Sequence, residues 1–143
     1  MLNEIIIPDA LNDYITDHFK WSEIVCPCCQ RVKINSGLYR HMGLLESLRI
    51  RVGFPIIIRS GYRCQSHNIA IGGSDGSEHL SFATDIRAEN YDESKLKTLY
   101  KEIISMNRGD GGPVWMGIGL YNAHIHIDCR HTSEPVYWHG TSV

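Results

Sequence analysis

The sequence predicts an α+β domain, a small and mainly antiparallel sheet with helices packed on it. Two stretches repeat apolar residues at helical spacing, and four shorter runs read as strands. These strands and helices do not alternate strictly, which disfavours a doubly wound parallel sheet. At 143 residues the chain is the size of one domain, and no repeat, linker or low-complexity tract divides it. Residues 1–143 read as a single domain.

The opening run, Met1-Leu2-Asn3-Glu4-Ile5-Ile6-Ile7-Pro8, lacks a basic segment and is too short an apolar stretch for a signal peptide. Residues 9–19 are expected to form a first helix, with Leu11, Ile15 and Phe19 on one face. Residues 21–33 are turn-like and hold three of the cysteines. From 36 to 52 the apolar positions Leu38, Met42, Leu45, Leu48 and Val52 predict a core-facing helix, with Ser36 as its N-cap and Gly53 as its stop. Residues 55–58 form a short buried strand leading into Ser60-Gly61-Tyr62-Arg63, and Gly72-Gly73-Ser74-Asp75-Gly76-Ser77 is a loop. A strand over 82–88 precedes a further amphipathic helix over 92–106, with Leu96, Leu99, Tyr100 and Ile103 inward. Gly111-Gly112-Pro113 then turns the chain into strands over 114–121 and 124–130.

Composition excludes several classes of function. Hydrophobic residues make up 43% and charged residues 21%, the balance of a soluble globular protein. A net charge of -2 gives no electrostatic reason to bind nucleic acid or anionic lipid. No stretch approaches the roughly 20 apolar residues that span a bilayer, so no membrane insertion is expected. Five cysteines is an odd number, which rules out a fully paired secreted framework. Synthesis in a cytoplasm, without a signal peptide, is the expectation. Eight histidines are more than a surface scatter explains.

The strand Ala123-His124-Ile125-His126-Ile127-Asp128-Cys129 puts His124, His126 and Asp128 on one face and Ala123, Ile125, Ile127 and Cys129 on the other. The second is a core face. The first is either a solvated edge or a buried polar set that a cation would stabilise. The segment Ser77-Glu78-His79-Leu80-Ser81-Phe82-Ala83-Thr84-Asp85 adds a loop histidine and a strand aspartate. His79, Asp85 and His126 then make two imidazoles and one carboxylate, a common catalytic zinc set that leaves a fourth position for water.

Ser60-Gly61-Tyr62-Arg63, His67-Asn68, Gly72-Gly73, Ser77-x-His79, Ala83-x-Asp85 and His124-x-His126-x-Asp128 together resemble the zinc D-Ala-D-Ala carboxypeptidase family. That family shares its fold with the hedgehog signalling domain and its metal site with lysostaphin-type endopeptidases. Phe19-x-x-Ser22-Glu23-x-x-Cys26-x-Cys28-Cys29 resembles the opening of its small, often phage-associated members. The resemblance implies one zinc ion on His79, Asp85 and His126. It implies that His124 assists proton transfer or steadies the tetrahedral intermediate, and that Arg63 faces the site as an anion-stabilising group. Ser77 then lies at the site's edge, and Asp128 accepts from a ligand histidine or from His124. Tyr137 and Trp138 are candidates to wall the cleft and hold a peptide stem. The implied substrate is a peptidoglycan stem peptide or cross-link, and the implied place of action is the bacterial cell wall, in phage lysis or on a virion.

Two departures stand out. The family pattern S-x-H-x-x-G-x-A-x-D places the aspartate seven residues after the histidine, whereas Asp85 follows His79 by six. Side chains alternate along a strand, so a deletion inside it would turn Asp85 away from the metal. The spacing of Ala83-Thr84-Asp85 puts the deletion in the preceding loop, with Asp75 or Glu78 as substitute ligands if the loop cannot absorb it. Tyr121, Asn122 and Ala123 also stand where related dipeptidases carry a glutamate base.

Two other classes of function compete. One is a zinc-binding cell-wall recognition or virion module that does not cut. The other is a thiol-based redox or metal-sensing protein built on Cys26, Cys28 and Cys29. A zinc site there would need Cys64 and a histidine such as His41 to complete it, and a bridge from Cys26 or Cys29 to Cys64 is the alternative. Buried structural thiols are the favoured reading. His18, His41, His131 and His139 are expected to be solvated.

Overall fold

The computed structural model describes residues 4–6 and 8–141, so residues 1–3 and 7 of the opening run lie outside the described residues. The chain runs through strands Glu4–Ile6 (β1), Tyr14–Thr16 (β2) and Phe19–Lys20 (β3), a 3-10 turn at Trp21–Glu23, and strand Val32–Ile34 (β4). β1 pairs with β4, and β2 pairs with β3. The helix expected over 9–19 is therefore a hairpin. Tyr14, Ile15 and Thr16 favour extended backbone, and Asp17 and His18 form the turn. Glu46 pins that turn by accepting from the His18 backbone N–H at 2.8 Å, with its other oxygen 2.5 Å from His18 Nδ1. Phe19 still reaches the core, from a strand rather than a helix.

Helix Ser36–Val52 (α1) buries Leu38, Met42, Leu45 and Leu48 on one face. Its cap is Asn35, one residue before the expected Ser36, whose side chain accepts from Leu38 N at 2.8 Å. Gly53 ends it in the left-handed region, at φ 73°. Strand Ile56–Ser60 (β5) follows, then a six-residue helix Gln65–Ala70 (α2), strand Ala83–Ala88 (β6) and helix Glu93–Asn107 (α3). Asp92 caps α3, which buries Leu96, Leu99 and Ile103. Strands Gly117–Leu120 (β7), Ile125–Asp128 (β8) and Val136–His139 (β9) complete the chain.

These strands form a five-stranded sheet in the order β5-β6-β8-β7-β9, antiparallel except for the parallel pair β7 and β9. The two long helices pack on each other and on one face of the sheet, burying Ile86, Ile118, Ile125, Ile127 and Trp115. The fold is the α+β class that the sequence predicts. His41 is not solvated: it is buried between Phe82 and Trp115, with its Nε2 2.9 Å from Thr84 Oγ1. Among the described residues no helix is long and apolar enough to cross a membrane.

Candidate metal centre

One lateral row of the sheet carries the centre. Ser60 of β5 lies opposite Asp85 of β6, Asp85 opposite His126 of β8, His126 opposite Gly119 of β7, and Gly119 opposite Trp138 of β9. Residues paired in this way project from the same face. Ile125 and Ile127 project to the other side, into the core. His79 reaches the row from a 3-10 turn, Glu78–Leu80, whose cap Ser77 accepts from the His79 N–H at 3.2 Å. The one-residue shortening between His79 and Asp85 is thus taken up in that turn and the link to β6.

His79 Nε2 stands 3.2 Å from Asp85 Oδ1, and His126 Nδ1 stands 3.0 Å from the same oxygen. All three residues are buried. The far nitrogen of each imidazole is committed elsewhere. The Gly61 carbonyl can only accept, so His79 Nδ1 donates to it at 2.7 Å. Ionised Asp128 likewise only accepts, and His126 Nε2 donates to it at 2.7 Å. Two neutral imidazoles so anchored turn their lone pairs toward each other and toward a carboxylate. Such an arrangement is repulsive unless a cation lies among the three groups. The ligand atoms lie within 4.8 Å of one another, as donors around one ion must. The set fits a divalent metal, and anchoring the distal nitrogen on a carbonyl or a carboxylate is how ligand histidines are held.

The electrostatics agree. Burial opposes ionisation of Asp85, but the His126 and His79 rings beside it outweigh burial and hold the carboxyl well below the usual range. Asp128 is also buried, yet His126 and Arg130 keep it ionised well below that range. Burial alone would lower the His126 pKa, whereas the two carboxylates flanking the ring, Asp128 and Asp85, raise it. The pocket attracts positive charge at the place where the three ligand atoms meet. Arg130 grips Asp128 through Nε at 2.9 Å and Nη2 at 2.7 Å, fixing the carboxylate that fixes His126.

The centre opens into a cleft of about 1040 Å³. Arg63 faces it, held by Ser60 Oγ at 3.3 Å and Asn68 Oδ1 at 3.1 Å, with Nη2 3.6 Å from Asp85 Oδ2. His124 stacks on Tyr121 with ring centroids 4.5 Å apart. Arg59 Nη1 donates to His124 Nδ1 at 2.8 Å. Burial, aided by that guanidinium, lowers the His124 pKa and keeps the ring neutral with its proton on Nε2. Trp138 donates from Nε1 to Tyr121 Oη at 2.8 Å and lies beside His126, centroid to centroid 5.3 Å. Glycine on β7 makes this possible. A Cβ on Gly119 would run into the Trp138 indole, and one on Gly117 would run into Asp128 and Arg130.

The structure brings His79, Asp85, His124, His126, Arg63, Ser77 and Trp138 to one cleft. Asp128 lies behind it and bonds His126, not His124. Tyr137 corrects the expectation. Alternation along β9 turns it away from the cleft, and its hydroxyl accepts from Asn107 Nδ2 at 3.1 Å. Glu78 lines the cleft whereas Asp75 does not, and Asp85 itself reaches both imidazoles. Sequence reasoning missed Arg59 and Arg130, and it singled out Asn68 within the His67-Asn68 motif without giving it a role. Arg130 carried a usable signal, two positions beyond Asp128 on the same strand face. The cysteines are also corrected, because Cys28 is exposed and only Cys26 of the four is fully buried.

One histidine from a turn and one from the sheet meet a sheet carboxylate at an arginine-edged cleft, a donor set of the kind that metallohydrolases use. Residues 17–128 match the Peptidase M15 family, and the chain belongs to that family of zinc-dependent peptidases. No curated protein and no solved structure matches the chain.

Proposed function

We propose that the protein cuts peptidoglycan stem peptides or cross-links at a bond involving a D-amino acid, with His79, Asp85 and His126 holding one zinc ion. The observation that carries this reading is the meeting of two imidazole lone pairs and a carboxylate in a cleft lined by Arg59, Arg63 and Arg130. Zinc supplies polarisation of a peptide carbonyl and lowers the pKa of a water to about 7.

The remaining chemistry belongs to side chains. Arg63, immobilised by Ser60 and Asn68, offers a fixed positive charge to a substrate carboxylate or to the developing oxyanion. Stem peptides carry free carboxylates, which suits three guanidinium groups around one cleft. His124 has its Nδ1 occupied by Arg59, so it offers only an N–H and acts as an oxyanion donor rather than a base. Tyr121 and Trp138 form an aromatic wall for the stem. Such a substrate places the action at the bacterial cell wall, in phage lysis or on a virion.

The competing reading is a zinc-binding recognition module. It draws on the lack of an acid at Tyr121, Asn122 and Ala123, where Tyr121 instead stacks on His124. Zinc analysis together with mass spectrometry of digested peptidoglycan decides between them. Wild type should bind zinc at this centre and release peptide products, and His126→Ala should lose the products together with one zinc ion per chain. A zinc ion that His126→Ala removes, without any peptide product from wild type, selects the recognition module. Cleavage and zinc content unchanged in His126→Ala would refute the ligand assignment.

A further inference from the structure

We propose that Cys26, Cys28, Cys29 and Cys64 form a second, structural zinc site that staples the cleft wall. Their four Sγ atoms lie within 4.8 Å of one another, with Cys28 to Cys64 at 3.3 Å and Cys26 to Cys28 at 3.5 Å. Four thiolates around zinc, with Zn–S bonds of about 2.3 Å, lie roughly 3.8 Å apart. A disulfide instead brings one pair to about 2.05 Å and gives no reason for two further sulfurs to gather there. Cys129, the fifth, lies apart and contacts the Val114 carbonyl at 3.8 Å. The odd count is therefore four plus one.

The backbone around the cluster is built to present sulfur. Cys26 N donates to Arg31 O and Gln30 N donates to Cys26 O, both at 2.7 Å, closing a tight loop. Gln30 takes up φ 57°, a left-handed conformation that a non-glycine residue adopts at some cost. That loop aims three cysteines at Cys64, which sits at the start of α2 and accepts from His67 N at 3.4 Å. Cys26 is buried while Cys28 is exposed, so the cluster has a floor and an open side through which an ion can arrive. Four convergent sulfurs are the donor set for a soft or borderline cation, and zinc takes them as a closed tetrahedron with no catalytic position.

The site's position gives it a task. Val25, Pro27 and Gln30 of the cysteine loop line the cleft. On the other side, Cys64 directly follows Arg63, and Gly61 supplies the carbonyl that anchors His79. Tyr62 N bonds Ile24 O at 2.9 Å across the same junction. An ion on the four sulfurs locks the loop to the segment that positions Arg63 and His79. This inference stands apart from the peptidase reading, since its ligands are four other residues.

The test is metal stoichiometry and cobalt spectroscopy on the full chain purified under reducing conditions. Wild type should carry two zinc ions per chain, and His126→Ala and Cys28→Ser should each lose one. Cobalt-loaded wild type and His126→Ala should both show intense thiolate-to-cobalt absorption in the near ultraviolet, and Cys28→Ser should lack it. Because His126→Ala leaves every cysteine in place, its spectrum reads the sulfur site even if a cysteine variant misfolds. A single ion in wild type removed by His126→Ala, two ions without thiolate absorption, or an intact mass two hydrogens light with Cys28 bridged to Cys64 would each overturn the proposal.

Discussion

Asp128 Oδ2 stands 2.7 Å from His126 Nε2, and Arg130 holds the same carboxylate through two nitrogens. The far side of the His126 ring is thereby fixed before any ion meets its near side. Asp128→Ala frees the ring and its tautomer, and should weaken zinc binding by about 10- to 100-fold. Competition against a chelator measures it. Arg130→Met should move affinity in the same direction by less, and unchanged affinity in Asp128→Ala would show that the carboxylate does not orient the ligand.

His124 offers a donor from Nε2 because Arg59 occupies Nδ1. His124→Ala should lower kcat by about 10²- to 10³-fold, the usual effect of removing one oxyanion donor, with zinc content unchanged. His124→Gln keeps an N–H and should recover part of the rate. Steady-state kinetics with metal analysis separate the two effects, and loss of zinc in His124→Ala would move the residue into the ligand set.

Gly119 is glycine because the Trp138 indole occupies the space of its side chain. Gly119→Ala should destabilise the fold by about 1–3 kcal/mol, the typical result of overpacking, and should shift the Trp138 environment. Urea unfolding and tryptophan fluorescence report each part. A silent substitution would mean that the strand pair opens freely.

Both long helices were legible because their buried positions recur every three or four residues over four turns, between a polar cap and a stop. The strand bearing His126 was legible by alternation, and the meeting of His79 with Asp85 and His126 was anticipated from the family resemblance despite the shorter spacing. The first segment misled because Leu11, Ile15 and Phe19 imitate a helical stripe, while Tyr14 to Thr16 pair across a two-residue turn. Helix α2 left no trace, since it is six residues long and its Ile69 points to solvent. Strand β9 was missed because it is a largely exposed edge without a core face. Cys64 is far in sequence from the other cysteines, and only tertiary folding brings its sulfur to theirs.

His41 is wholly buried, and burial pushes its pKa from 6.5 down to about 3. Its Nδ1 has no partner to repay a proton. The folded chain keeps the ring neutral at pH values where the unfolded chain protonates it. Its contribution to stability is therefore complete above pH 6.5 and is lost as pH falls from 6.5 toward 3, by up to about 1.4 kcal/mol per pH unit. Urea midpoints at pH 7.5 and about pH 5 should differ in this direction. His41→Met should flatten that dependence, and an unaltered pH profile in the variant would assign the acid sensitivity to other groups.

The family match ends at residue 128, but the sheet runs on to β9 at Val136–His139. A fragment cut at the earlier boundary would keep all four of His79, Asp85, His126 and Asp128. It would also expose the hydrogen-bonding edge of β7 and remove the indole beside His126. Bare edges recruit strands from other molecules, so the shortened protein should self-associate during expression. Recombinant fragments of this protein therefore need to extend past His139.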